Sequence, residues 1–150
     1  MNSIPVTRAH HSRLSTIDFK NLGFGNHLSD HMLVADYKNG KWQDPAVVPY
    51  GDIPMSPSML SLHYGQAIFE GMKAFKNKDA ELVIFRPQRH HQRLLKSMER
   101  MCMPAMSEEY FIKIVSDFNY HGKPIIVAVD KSELDAQEDI QQYLEGYVYA

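Results

Sequence analysis

The chain has 150 residues, the usual size of one protein domain. With 44% hydrophobic and 23% charged residues, its composition is that of a soluble globular protein with an ordinary core. A formal net charge of −2 argues against a dedicated nucleic-acid-binding domain, and no apolar stretch approaches the ~18 residues of a membrane span. The single cysteine, Cys102, excludes an intramolecular disulfide and a Cys-rich zinc site.

The first third of the chain is predicted to be irregular at its start and then to form short strands. Residues 1 to about 31 are polar and rich in turn-forming residues. An extended run over 32–37 precedes Asn39-Gly40, a pair that tolerates positive φ, and Trp42 begins the next extended piece. This pattern predicts a β-hairpin. Residues 46–50 form another short extended segment.

A helical turn and two strands are predicted next. Residues 58–64 have the pattern of a short helix, and residues 67–75 that of a strand. Residues 81–86 return as a second strand. Glu70 and Gly71 are expected in the middle of the first of these two strands.

The last part of the chain alternates between helical and extended patterns. One helix is predicted from Pro87, which suits a first helical turn, to about Met101. Another follows Ser107, which is a typical N-cap residue. A strand over 125–129 and a helix over 133–144 complete the chain. This order favours an α+β fold in which helices pack on one side of an antiparallel sheet.

Four basic residues lie along one face of the helix that begins at Pro87. The spacing of Arg89, Arg93, Lys96 and Arg100 is four, three and four residues. Such a face could bind an anion, since the planar guanidinium group matches phosphate oxygens. A solvated cationic surface opposite the apolar stripe explains the same spacing. The pattern by itself leaves both interpretations open.

Glu70 is an acid within an otherwise apolar pattern, and Gly71 follows it. A buried carboxylate costs free energy unless it is paired or hydrogen-bonded, so it would have a reason to be there. A glycine inside a strand often marks the close approach of a ligand or of another backbone. An acid on the solvent side of a strand is the alternative.

Eight histidines raise the question of a metal site. His27 and His31 have the spacing of a helical ligand pair, but they lie in a turn-rich stretch that leads into a strand. We therefore predict no metal site. His63 is expected to pack or to form a hydrogen bond, and Cys102 to be a small buried hydrophobic residue.

Three blocks of sequence carry a family resemblance. "LHYGQAIFEGMKAF", "FRPQRHHQRLLKS" and "RMCMP" occur in this order, downstream of "DHMLVADYKNGKW". Together they resemble the N-terminal small domain of the branched-chain amino acid aminotransferases, which are class IV pyridoxal-phosphate (PLP) enzymes. The resemblance covers roughly residues 20 to 112.

The resemblance implies roles for individual residues. Arg93 matches the arginine that binds the phosphate of PLP. Tyr64 and Phe69 match aromatic residues that line the pocket for a branched side chain, while Glu70 and Gly71 match positions that shape this pocket. The lysine that holds the cofactor lies in the family's larger C-terminal domain, so we assign no catalytic residue here. None of the lysines near the pocket segment matches it: Lys73, Lys76 and Lys78.

The function that the resemblance implies is transamination of leucine, isoleucine or valine with 2-oxoglutarate, in amino-acid biosynthesis. The expected protein is cytoplasmic and homodimeric, acts on small amino acids and 2-oxo acids, and binds neither nucleic acid nor membrane.

The resemblance also predicts a division of the chain. We expect a polar arm over 1–20, the aminotransferase small domain over 21–112 and a segment over 113–150 that departs from the family pattern. Without the lysine-bearing domain, the isolated chain is expected to be inactive alone. The alternative is a non-catalytic small domain, truncated or chimeric, that serves only in folding or oligomerisation.

Overall fold

Short antiparallel strands and two longer helices make up the fold, so the predicted α+β class is confirmed. A computed structural model of the chain describes residues 4–22, 26–79, 81–120 and 147–149. The strands in these ranges are β1 (His31–Val34), β2 (Tyr37–Lys38), β3 (Lys41–Trp42), β4 (Ala46–Pro49), β5 (Gly71–Lys76), β6 (Leu82–Ile84) and β7 (Tyr147–Tyr149). The helices are α1 (Leu60–Tyr64), α2 (Pro87–Arg100) and α3 (Glu108–Tyr120), and a single 3₁₀ turn covers Leu14–Thr16.

The strands form three small antiparallel sheets where the sequence predicted one sheet. β2 and β3 pair as the predicted hairpin, with Asn39 at φ 54° and Gly40 at φ 75° in its turn. The extended run predicted over 32–37 is divided between two sheets. Its first residues belong to β1, which pairs with β4, and Tyr37 begins the hairpin. Residues 5–7 run beside β4, with backbone hydrogen bonds of 2.9 and 3.0 Å to Val47.

β5 is the central strand of the sheet beneath α2, in the order β6-β5-β7. Gly71 pairs with Tyr149 at one end of β5, and Ala74 pairs with Ile84 further along it. The strand predicted over 67–75 therefore begins four residues late, because ladder pairing starts only at Gly71. Glu70 precedes the strand rather than lying within it. β7 was not predicted.

The core lies between α2, α3, β4 and the sheet of β5. Phe111 of α3 is completely buried, and its ring centroid lies 5.4 Å from that of the buried His91 on α2. The hydroxyl of Ser107 accepts a hydrogen bond from the backbone N–H of Tyr110, which confirms Ser107 as the N-cap of α3. Met72 of β5 closes the core from the sheet side.

Part of the predicted C-terminal order lies outside the described residues. The strand over 125–129 and the helix over 133–144 fall there. Among the described residues, no helix is long and apolar enough to span a bilayer.

The turn that ends α2 corrects the prediction for Cys102. This residue is exposed and has φ 54°, a left-handed conformation. Its N–H donates to the carbonyl of Glu99, and the N–H of Met103 donates to that of Met98 at 2.8 Å. These two bonds form a Schellman motif, in which the left-handed position is usually glycine. Cys102 therefore lies where the helix turns away, not in the core.

The strained conformation of Cys102 leads to a stability prediction. Replacing Cys102 with glycine removes the Cβ that disfavours the left-handed region, so the free energy of unfolding should rise by about 1 kcal/mol. Cys102→Ala is the matched control, since it removes the sulfur but keeps the Cβ, and it should change stability little. Urea unfolding of the three proteins measures this. Equal stabilities of the glycine and alanine variants would contradict the prediction.

Candidate functional site

A cleft of about 460 Å³ opens between β5 and the first turns of α2. It has a mixed lining of aromatic, basic and backbone groups: Gly71, Met72, Lys73, Phe75, Phe85, His90 and Arg93. α2 begins at Pro87, after the two residues that follow β6, and it presents His90 and Arg93, one turn apart, to this cleft.

A buried carboxylate is paired with two of the residues that line this cleft. The side chain of Glu70 is only 3% exposed. Glu70 directly precedes β5 and lies beneath α2. Arg93 donates to it from Nε, at 3.0 Å to Oε1 and 2.7 Å to Oε2, and from Nη2 to Oε1. Nη2 also lies 3.3 Å from the carbonyl oxygen of Gly71. Of the two interpretations for Glu70, the buried and paired carboxylate is therefore correct.

His90 is the second partner of the Glu70 carboxylate. Its Nδ1 lies 2.8 Å from Oε1 of Glu70, the same oxygen that Nη2 of Arg93 contacts. An ionised carboxylate can only accept, so Nδ1 of His90 donates this bond. The three side chains form one connected group, which we call the Glu70 cluster.

Opposing influences act on the pKa of Glu70. Burial, the largest single influence, raises this pKa, but hydrogen bonds from Arg93 and His90 and the charges of both side chains lower it. The net result is a pKa below the ordinary value of 4.5. The hydrogen bond to Glu70 correspondingly raises the pKa of Arg93. The pair is therefore fully ionised at neutral pH.

The orientation of Arg93 leaves one edge of its guanidinium group available. Glu70 and Gly71 engage Nε and Nη2, and no hydrogen bond to another described residue uses Nη1. The side chain is 63% exposed even though its carboxylate partner is buried. A fixed, solvent-facing donor edge of this kind is suited to the oxygens of a phosphate group.

The aromatic residues predicted for the substrate pocket lie elsewhere on the surface. Tyr64 ends α1 and is 82% exposed, while Phe69 is 83% exposed. Neither lines the cleft at Arg93, whereas the predicted Gly71 does. The structure thus brings together three of the five predicted site residues: Glu70, Gly71 and Arg93.

The remaining basic residues of α2 are exposed, as expected for a solvated face: Arg89, Lys96 and Arg100. His63 makes the expected hydrogen bond, with Nε2 2.6 Å from the carbonyl oxygen of Pro57. Within the described ranges, no group of three histidine, cysteine or acidic side chains could hold a metal ion.

His90 is a site residue that was not predicted from the sequence. It lies three residues before Arg93, so both face the same side of α2. That spacing was visible in the sequence. The spacing of His90 and Arg93 would have predicted a shared site only if Glu70 had been known to lie beneath the same face of α2.

The Glu70 cluster predicts a specific loss of stability in acid. Because the folded-state pKa of Glu70 is lowered, its contribution is present above pH 4.5 and is lost as the pH falls through the folded-state value. Glu70→Gln removes the charge, so it should lower the free energy of unfolding at pH 7 by about 1–3 kcal/mol and flatten its decline in acid. Urea unfolding between about pH 7 and pH 3 measures both effects.

Glu99→Gln serves as the control, since Glu99 is an exposed acid on the same helix. It should leave the acid profile of the parent protein unchanged. If Glu70→Gln lost stability in acid as steeply as the parent, the charged Glu70 cluster would not be the source of this loss.

Comparison with known proteins finds relatives of one kind. No family model matches the chain. It is 35% identical over 134 residues to "Branched-chain-amino-acid aminotransferase 2" of Bacillus subtilis, which is 89% of this chain and 35% of that protein. It is 45% identical over 132 residues, or 87% of the chain, to "Branched-chain-amino-acid aminotransferase" of Mycolicibacterium smegmatis, of which it covers 34%.

The chain spans about a third of the length of the curated relatives that it matches. The similarity is longer than the stretch from about 20 to 112 that carries the motifs. The predicted resemblance to the branched-chain aminotransferase family is therefore confirmed over 89% of this chain.

Proposed function

We propose that this chain is the small domain of a PLP-dependent transaminase that moves amino groups between leucine, isoleucine or valine and 2-oxoglutarate. The observation that carries the proposal is the guanidinium group of Arg93, which Glu70 orients while one of its edges faces the cleft. The names of the relatives support the reaction type. In this proposal the lysine that holds the cofactor belongs to a second domain.

In this proposal Arg93 holds the phosphate group of the cofactor. PLP, when bound, supplies the electron-withdrawing ring on which amino-group transfer depends. Nη1 of Arg93 would donate to a phosphate oxygen, while Nε and Nη2 stay on Glu70 and fix the plane of the guanidinium group. The binding energy of this phosphate would then orient the cofactor relative to groups outside this chain.

Tyr64 and Phe69 would line the pocket for the branched side chain. Both are more than four-fifths exposed, which is unusual for large aromatic side chains and typical of a surface that a partner or ligand covers. Glu70 and Gly71 would shape this pocket, since Phe69 directly precedes them and their positions are fixed by Arg93. In the homodimer that we propose, the second subunit would cover these two side chains.

Binding of PLP to the purified chain tests the role of Arg93. The chain should bind PLP more tightly than pyridoxal, which lacks the phosphate, and Arg93→Gln should weaken PLP binding about tenfold or more. Arg89→Gln is the control, since Arg89 is an exposed arginine on the same helix and bonds Gln92. Isothermal titration calorimetry measures all of these affinities.

If Arg93→Gln bound PLP as the parent does, the phosphate role of Arg93 would be wrong. Loss of binding in both arginine variants would instead indicate attraction by the overall charge of α2, which also contradicts a specific site.

A chimera tests the transaminase assignment itself. The matching segment of the B. subtilis aminotransferase 2 is replaced by this chain, and amino transfer from leucine, isoleucine and valine to 2-oxoglutarate is assayed. We expect activity, and a reduction of kcat/KM by about tenfold or more in the chimera with Arg93→Gln, because one charge-assisted hydrogen bond to phosphate is lost. A folded chimera that retains PLP but transfers no amino group would overturn the proposal.

A further inference from the structure

His90 stands beside Arg93 in the cleft and shares its carboxylate partner. Nδ1 of His90 and Nη2 of Arg93 both bond Oε1 of Glu70. The two side chains lie one helical turn apart on the same face of α2 and both line the cleft. A group bound at the open edge of Arg93 would therefore lie in the same cleft as the imidazole ring of His90.

The hydrogen bond to Glu70 fixes the tautomer of His90. Nδ1 carries a proton, since the carboxylate can only accept. The other ring nitrogen, Nε2, is then an unprotonated acceptor when the ring is neutral, and no hydrogen bond to another described residue uses it. Protonation of the ring converts Nε2 into a donor on the side away from Glu70.

The charges of the Glu70 cluster favour this protonation when an anion is present. Arg93 and Glu70 cancel one another, so the cluster has no net charge while the ring of His90 is neutral. A doubly charged anion at Nη1 of Arg93 would meet the lone pair of Nε2. A proton from solvent removes this repulsion and adds one charge-assisted hydrogen bond.

We propose that His90 is a second ligand for the anionic group that Arg93 binds, and that it takes up one proton at Nε2 when this anion binds. The inference rests on the proposed function, because it takes Arg93 as the ligand of a phosphate group. The chemical class of the ligand is a tetrahedral dianion.

Charged groups from three elements lie near the ring of His90 or beside its neighbour on α2. Glu70, before β5, bonds Nδ1 of His90, and Lys73 on β5 and Arg93 on α2 line the same cleft. Glu108 of α3 lies 3.9 Å from Nδ1 of the neighbouring His91. β6 and β7 contribute only Leu-Val-Ile and Tyr-Val-Tyr. Of these residue types, only histidine ordinarily changes its charge between about pH 5 and 8.

Sulfate is the appropriate probe, since it is a tetrahedral dianion whose charge does not change in this pH range. Its binding to the whole chain is followed by NMR, from the signals of the Arg93 Nε–H and of the His90 ring. We expect the affinity for sulfate to fall about tenfold from about pH 5.5 to about pH 8, the effect of one lost charge-assisted hydrogen bond. Sulfate should also move the titration of the His90 ring signals to higher pH.

His90→Asn separates this role from a structural one. The asparagine amide can replace Nδ1 as the donor to Glu70 but has no counterpart of Nε2. The variant should remain folded, with the Arg93 Nε–H signal unchanged, and should bind sulfate weakly at every pH. His11→Asn, which alters an exposed histidine, should behave as the parent.

The outcomes distinguish the two proposals. Binding that depends on Arg93 but shows the same pH dependence in His90→Asn as in the parent would overturn the role of His90 alone. Sulfate and PLP binding that is unaffected by Arg93→Gln would overturn the proposed function, and the inference with it.

Discussion

The ion pair between Glu70 and Arg93 is the interaction on which the site depends. A carboxylate that is 3% exposed is tolerated only because charge-assisted hydrogen bonds offset the loss of its hydration. Those bonds attach α2 to the start of β5, so one interaction joins the helix to the sheet and sets the direction of the guanidinium group. Removing either partner would alter both the packing and the cleft.

The same ion pair also fixes the orientation of the Arg93 side chain before a ligand binds. An arginine side chain has many rotamers, and an exposed one loses considerable entropy when it binds an anion. Glu70 engages two of the three guanidinium nitrogens of Arg93 before any ligand arrives, so that much of this cost is met during folding. The carboxylate also cancels the charge of Arg93. Pairing with Glu70 therefore orients the guanidinium group of Arg93 but weakens its attraction for an anion. The proposed protonation of His90 would restore one positive charge.

Local features of the fold could be predicted from the sequence where local chemistry decides the structure. Asn39-Gly40 forms the expected turn because both residues tolerate positive φ, and Ser107 caps α3 through its hydroxyl. Cys102 was misplaced because an apolar residue in a left-handed helix-ending position has no distinctive sequence signature. The start of β5 was misplaced because it depends on pairing with β7, which lies far away in the chain.

The site was predictable only in part, for a related reason. Arg93 and Glu70 were identified by their resemblance to a family, but their contact joins residues 23 positions apart and follows from the packing of α2 on β5. His90 joins the site through its own bond to Glu70, which depends on the same packing. Tyr64 and Phe69 differ, because they lie on a surface that the described residues leave open. A chain that spans about a third of its relatives' length can complete the Glu70 cluster from its own residues, since Arg93 and His90 lie on α2 and Glu70 directly precedes β5. The proposed apolar pocket would need walls on several sides, and these two aromatic residues would supply only one.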